Sequence, residues 1–302
     1  MVEMGVEIQV AFTMDCERIA SESPPGGPGT WELSERAIEG YCGTLLEEGF
    51  PPTLFIVPEC AQRHRELFLD LASRGVELGM HLHPQSFADH RYGKYLGEYS
   101  RDAQAELIGE AMRAFTVATG VIPQSFRSGN FSASDDTYSV LSSLGFRQGS
   151  VSDPGRDAPG FAAVWRGACQ DPHWASQKSR LESGGLPFLE VPVTTDPGRL
   201  QSSGFPWELR VESGDVDGWH RPVIELYLER VRREGVEVPC LCIFTHNFFD
   251  YSDPGTSQSS TLGNLVQHLR GLPGVELVPT TLFELRETFL GKVGDPKLPA
   301  PG

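Results

Sequence analysis

Short apolar runs rich in β-branched and aromatic residues alternate along this chain with longer stretches in which apolar positions recur every three or four residues. The first pattern is that of buried strands and the second that of amphipathic helices. The runs predict strands near residues 6–14, 53–58, 76–82, 124–128, 147–152, 188–193, 240–246 and 275–279. Helices are expected near 34–48, 59–73, 100–119, 133–144, 219–234 and 259–270, several opening with Ser or Asp in the capping position. Strand followed by helix, repeated in this way, builds a parallel sheet, and seven or eight repeats fit a closed barrel better than an open sheet. The expected fold class is α/β, a (β/α) barrel of seven or eight strands forming a single domain over residues 1–290, with a loose C-terminal tail over 291–302. Three loop insertions break the rhythm: the Pro/Gly segment SESPPGGPG at 21–29, and long Gly- and Pro-rich excursions at 153–187 and 195–218.

Charge narrows the partners. Among 302 residues, 25 Lys and Arg face 41 Asp and Glu, a formal net charge of −16. Nucleic acid and anionic membrane surfaces are excluded as expected partners, because binding them relies on dense Lys and Arg. No window approaches the roughly 18 to 20 consecutive apolar residues needed to cross a bilayer. The N-terminus MVEMGVEIQVAF runs into a strand without a basic segment or cleavage site, so the expectation is a cytoplasmic protein. Six scattered cysteines fit a reducing compartment, and Cys240 and Cys242 read as two small apolar residues on one strand face.

In a barrel of parallel strands the loops after the strands converge on one mouth, so reactive groups are sought at strand ends. The first strand ends in Thr13-Met14-Asp15-Cys16-Glu17, the third in Gly79-Met80-His81-Leu82-His83-Pro84, the fourth in Phe126-Arg127-Ser128-Gly129-Asn130, the fifth in Ser152-Asp153 and the seventh in Thr245-His246-Asn247. His81 and His83 are two apart on a strand, so their imidazoles project from one face toward a single ion. Two imidazoles and a carboxylate are a common set of protein ligands for a catalytic zinc. Asp15 and Glu17 share a face by the same period, and two carboxylates allow one to ligate while the other acts as base. Cys16 points the other way and is assigned to packing.

Taken in order, T-M-D-C-E, E-L-G-M-H-L-H-P, F-R-S-G-N-F and F-T-H-N-F resemble the four active-site segments of the polysaccharide deacetylase superfamily, carbohydrate esterase family 4 and its relatives. The resemblance extends over most of the chain. It implies a distorted (β/α) barrel and metal-dependent removal of an N- or O-acyl group from an acylated sugar. It makes Asp15 the general base, Glu17, His81 and His83 the metal ligands, Arg127 the residue that holds the ionised base, His246 the acid that protonates the leaving amine, and Asp153 the group that sets the charge of that histidine. The implied cofactor is a divalent metal, Zn2+ by its donor set, with Co2+, Mn2+ or Fe2+ as alternatives. The sequence departs from the pattern twice. The common second histidine falls at Gln85, whereas here only Leu82 separates the imidazoles, and Glu17 lies one residue later than the usual second aspartate.

Three functions compete on these residues. The first is an N-deacetylase acting on an acylated amino sugar or small sugar conjugate, an intracellular biosynthetic intermediate. The second is a hydrolase of cyclic amides or ureides on the same scaffold, and the third a carbohydrate-binding relative without catalysis. For sugar contacts the sequence offers Asn130 and Asn247 just past their strands, and Trp207 among the aromatic residues of the excursions. His64, His90, His173, His220 and His268 read as surface or structural residues.

Overall fold

A computed structural model describes residues 5–87, 89 and 91–296. Eight parallel strands form where the apolar runs predicted them: β1 (Val6–Cys16), β2 (Thr53–Ile56), β3 (Glu77–Leu82), β4 (Ser125–Ser128), β5 (Gln148–Gly149), β6 (Leu189–Glu190), β7 (Cys240–His246) and β8 (Val275–Pro279). The order of the parallel strands around the sheet is β7-β1-β2-β3-β4-β5-β6, and His173–Trp174 adds a short antiparallel strand beside β6. Gln9 and Val10 of β1 pair with β7 and with β8 at once, so β8 lies on the edge opposite β7, in line with β2. Seven staves therefore curl around the interior, and no continuous ladder joins β6 to β7. The gap is bridged singly: Thr194 N–H donates to Cys242 O (3.1 Å), Leu209 N–H to Thr194 O (2.8 Å) and Phe244 N–H to Leu209 O (3.0 Å). This is the distorted barrel that the sequence implied.

The helices α1 (Trp31–Glu47), α2 (Pro58–Arg63), α3 (Arg65–Ser73), α4 (Arg101–Thr119), α5 (Thr137–Ser143), α6 (Arg221–Glu234), α7 (Ser257–Arg270) and α8 (Leu282–Val293) connect the strands. The helix expected over 59–73 is two, broken at His64, which leaves helical geometry at φ −109° and ψ 34°. The sequence reading did not include α8, which Thr281 and Glu284 open with a reciprocal capping box. Its last residues, 291–293, lie past the expected domain end at 290, where the tail expected over 291–302 should begin, and 297–302 lie outside the described residues.

Period two along β1 explains the two cores. Ile8, Val10, Phe12, Met14 and Cys16 face the helices in the main apolar core, whereas Ala11 turns into the barrel with Phe55, Cys240 and Cys242. Leu282, Leu285 and Phe289 of α8 complete that inner cluster. The inner face continues as Thr13 and Asp15, so the strand carries its polar groups to the rim at its C-terminal end while its base is sealed by apolar side chains. Among the described residues no helix is long and apolar enough to cross a membrane.

Candidate active site

β1, β3, β4 and β7 deliver their side chains to one cavity at the C-terminal rim. It measures about 140 Å3 and is lined by Asp15, Glu17, His81, His83, Asn130 and His246, with Arg156, Arg210 and several aromatic residues around them. A larger groove of about 770 Å3 beside α2 and α4 carries scattered Arg and Glu side chains but none of these groups.

Arg127 is completely buried inside the barrel and uses every donor it has. Its Nη1 donates to Asp15 Oδ1 (2.8 Å) and Thr13 Oγ1 (2.9 Å), its Nε to Ser150 O (3.1 Å), and its Nη2 to Ser150 Oγ (2.8 Å) and, weakly, Cys242 Sγ (3.9 Å). Its plane also rests on the ring of Phe55, 4.4 Å from the centroid. Burial pushes the Asp15 carboxyl up, but Arg127, His81 and His246 together outweigh it and hold the group below its ordinary value. Asp15 Oδ2 is left facing the cavity, 3.9 Å from His81 Nε2 and 4.0 Å from His246 Nε2.

Glu17, His81 and His83 lie beside it. Among the described residues they are the group whose three donor atoms all fall within 4.8 Å of one another. His81 Nδ1–H donates to the carbonyl of Arg127 (2.9 Å), which orients the ring and places Nε2 3.1 Å from Glu17 Oε1. His83 Nε2 approaches the same oxygen at 2.8 Å, and Glu17 Oε2 is buried without a partner. The Nε2 atoms of two imidazoles thus converge on one carboxylate oxygen, the grouping of donor atoms that a shared cation would take. Asp15 and Glu17 against Arg127 leave one excess negative charge, so the residues present fit a divalent ion. The same crowding acts on protonation: burial raises the Glu17 carboxyl, yet His83 and His81 drive it well below the usual carboxylate range. Burial lowers the pKa of His81, but Asp15 and Glu17 outweigh it and raise it. A spacing of two residues therefore brings the imidazoles together, and Gln85, in a short turn after the strand, is absent from the cavity wall.

Two segments position these groups from behind. Asn247 is completely buried; its Oδ1 accepts from Glu17 N–H (2.9 Å), and its Nδ2 donates to Glu17 O (3.1 Å) and Ser34 Oγ (2.8 Å). Its amide is spent on fixing the Glu17 backbone, which corrects the expectation that it meets substrate. Gly129 packs flat on His83: a Cβ there would lie 2.2 Å from His83 Nδ1. The next two residues, Asn130 and Phe131, have left-handed φ of 55° and 54°. Arg156 Nη1 donates to Asn130 O (3.0 Å) and Trp165 Nε1 to Phe131 O (2.8 Å), holding this strained turn so that Asn130 lines the cavity. Asn130 Oδ1 is buried and has no partner.

Asp153 is not at His246. It is fully buried behind Arg156, whose Nε donates to Asp153 Oδ2 at 2.5 Å. Burial, with Glu208 nearby, pushes its carboxyl up to about 8 against the pull of Arg156. The carboxylate on His246 is instead Glu212, with Oε1 2.6 Å from Nδ1. Burial raises Glu212, but His246 and Arg210 prevail and lower it. Arg210 bridges Glu208 (3.5 Å) and Glu212 (3.3 Å) and brings Nη2 to 3.4 Å from His246 Nε2. Trp207, expected to contact sugar, stacks on Trp219 at 4.3 Å and under Arg199 and is not on the cavity wall. Of the histidines read as surface or structural, His64, His173 and His220 are buried, and His90 lies outside the described residues. The sequence reading missed Arg156, Phe205, Arg210, Glu212 and Phe248. Its one available signal was Glu208-Leu-Arg-Val-Glu212, a strict alternation of charge and apolar residue within a presumed loop.

The polysaccharide deacetylase family model matches residues 28–149. By sequence, no curated protein matches the chain significantly. In fold it is similar to a Mycobacterium smegmatis protein provisionally named a polysaccharide deacetylase, at 16% identity and a TM-score of 0.61, covering 100% of this chain and 96% of that one. It is also similar to the Puue allantoinase (17% identity, TM-score 0.62, 95% and 91% covered). A probable polysaccharide deacetylase from Pseudomonas aeruginosa PAO1 shares the fold as well, at 17% identity and a TM-score of 0.58, with 95% and 92% covered. The polysaccharide deacetylase family model thus accounts for residues 28–149, and over nearly its whole length the chain has the fold of these solved structures.

Proposed function

We propose that the protein is a metal-dependent deacetylase that removes an acetyl or similar acyl group from an amino sugar or sugar conjugate. The observation that carries this reading is the placement of Asp15 Oδ2 between His81 (3.9 Å) and His246 (4.0 Å) on the wall of the cavity that Glu17 and His83 also line. Glu17, His81 and His83 would hold a divalent ion, with zinc suited to this donor set and Co2+, Mn2+ or Fe2+ as alternatives. Such an ion supplies Lewis-acid polarisation of the acyl carbonyl.

The remaining work falls to the chain. Arg127 keeps Asp15 ionised and fixed, so that Oδ2 takes the proton of the attacking water. Glu212 orients His246 through Nδ1, directing Nε2 to the cavity, where the protonated ring hands its proton to the departing nitrogen. An amide cannot expel so basic a group without that proton. Asn130 presents a buried amide oxygen to the same space for a substrate hydroxyl or N–H. We place the protein in the reducing cytoplasm, a reading supported by six unpaired cysteines, five of them buried. Acetate release from N-acetylated sugars, abolished by a chelator and restored by a divalent ion, is the expected result. Undiminished release in chelator contradicts the metal-dependent reading.

A further inference from the structure

We infer that the site works end-on, taking a single acylated sugar or the terminal residue of a chain and excluding interior residues of a polymer. The inference rests on the deacetylase reading and adds the substrate's size and attitude. The cavity measures only about 140 Å3. That suits an acylamino group and one edge of its ring, and it falls below the several hundred Å3 of ordinary small-molecule pockets. The wall is contributed by loops all around the rim: Pro25 after β1, His83 after β3, Asn130 after β4, Phe205 from the excursion after β6 and Phe248 after β7. A threaded polymer requires a trough with two open ends.

The wall is braced against opening. The Arg156 guanidinium lies 4.0 Å from the Phe205 ring centroid and is itself buried and bonded to Asp153, Asn130 and Glu208. Next to Phe205, Gly204 O accepts from Asp157 N–H (2.8 Å), and a Cβ on Gly204 would meet that residue's carbonyl oxygen at 2.3 Å. On the opposite segment Ser23 Oγ bonds Ser86 Oγ (2.9 Å), and Arg18 Nη1 donates to Ser86 O (3.0 Å), tying the Pro25 loop to the loop after β3.

The test uses the metal-loaded protein with N-acetylglucosamine and its β-linked dimer and trimer, locating each lost acetyl group by fragmentation mass spectrometry. The expected result is deacetylation of a terminal residue only, and a rise of about tenfold or more in the trimer-to-monomer ratio of kcat/KM in Phe205→Ala. Loss of acetyl from the interior residue of the trimer in the unaltered protein overturns the inference and leaves the deacetylase reading intact. Absence of turnover at every length, with metal bound, overturns the deacetylase reading and this inference with it.

Discussion

Glu212 Oε1 stands 2.6 Å from His246 Nδ1, an ion-pair contact between the irregular segment after β6 and the end of β7. It commits Nδ1 as the donor and leaves Nε2 to the cavity. In Glu212→Gln the ring loses the carboxylate that accepts from Nδ1 and orients it. We expect kcat to fall by about tenfold to a hundredfold, with KM little changed and the unfolding midpoint near that of the parent. A fall in KM-derived affinity with unchanged kcat would remove Glu212 from the proton path.

How much of this was visible in the chain depends on distance along it. Asp15 with Glu17 and His81 with His83 were legible because each pair sits two apart on a strand, and the alternation of β1 had already assigned the inward face. The strands were legible for the same reason. Glu212 and Arg210 were not, because their pairing with His246 is made across 34 and 36 residues, and the short alternation that carries them does not say which strand end they meet. The resemblance put Asp153 beside His246, but Arg156 three residues on captures it first. The break at His64 reflects tertiary demand, since its Nε2 sits 3.2 Å from Ser34 Oγ, which also accepts from Asn247.

Gly129→Ala probes the seat of His83. The added methyl would sit 2.2 Å from Nδ1, so the ring must leave its place beside Glu17. Divalent-ion affinity is expected to fall by about tenfold to a hundredfold, the range for lost support of a metal ligand, as read by competition with a chelating dye. Unchanged affinity would show that His83 does not ligate.

Arg127→Met removes a completely buried cation from Asp15 and leaves that carboxylate unpaired in the barrel. The expected cost is about 3–5 kcal/mol of unfolding free energy, measured by urea denaturation, with loss of turnover. The double variant Arg127→Met with Asp15→Asn is expected to regain much of the stability and none of the activity. A double variant no more stable than the single one would contradict the pairing argument.

Glu190 predicts a pH signature outside the site. Its Oε1 accepts from Val151 N–H (2.9 Å), Ser152 N–H (2.8 Å) and Ser152 Oγ (2.8 Å), yet burial prevails over these bonds and pushes its carboxyl up to about 7 from 4.5. The folded chain then keeps a proton that the unfolded chain has released. The stability this contributes is full below about pH 4.5 and is lost as pH rises through about 7. Glu190→Gln keeps an acceptor and cannot titrate, so the parent's denaturation midpoint is expected to decline relative to the variant's across that window. Parallel curves would contradict it.

The central claim is that Glu17, His81 and His83 together hold a catalytic divalent ion, and metal analysis of the purified chain beside Glu17→Ala and His83→Ala tests it most directly. The account predicts about one ion per parent chain, removed by either substitution together with sugar deacetylation while the fold persists by circular dichroism. Full metal content in both variants, or deacetylation by a metal-free parent, would contradict it.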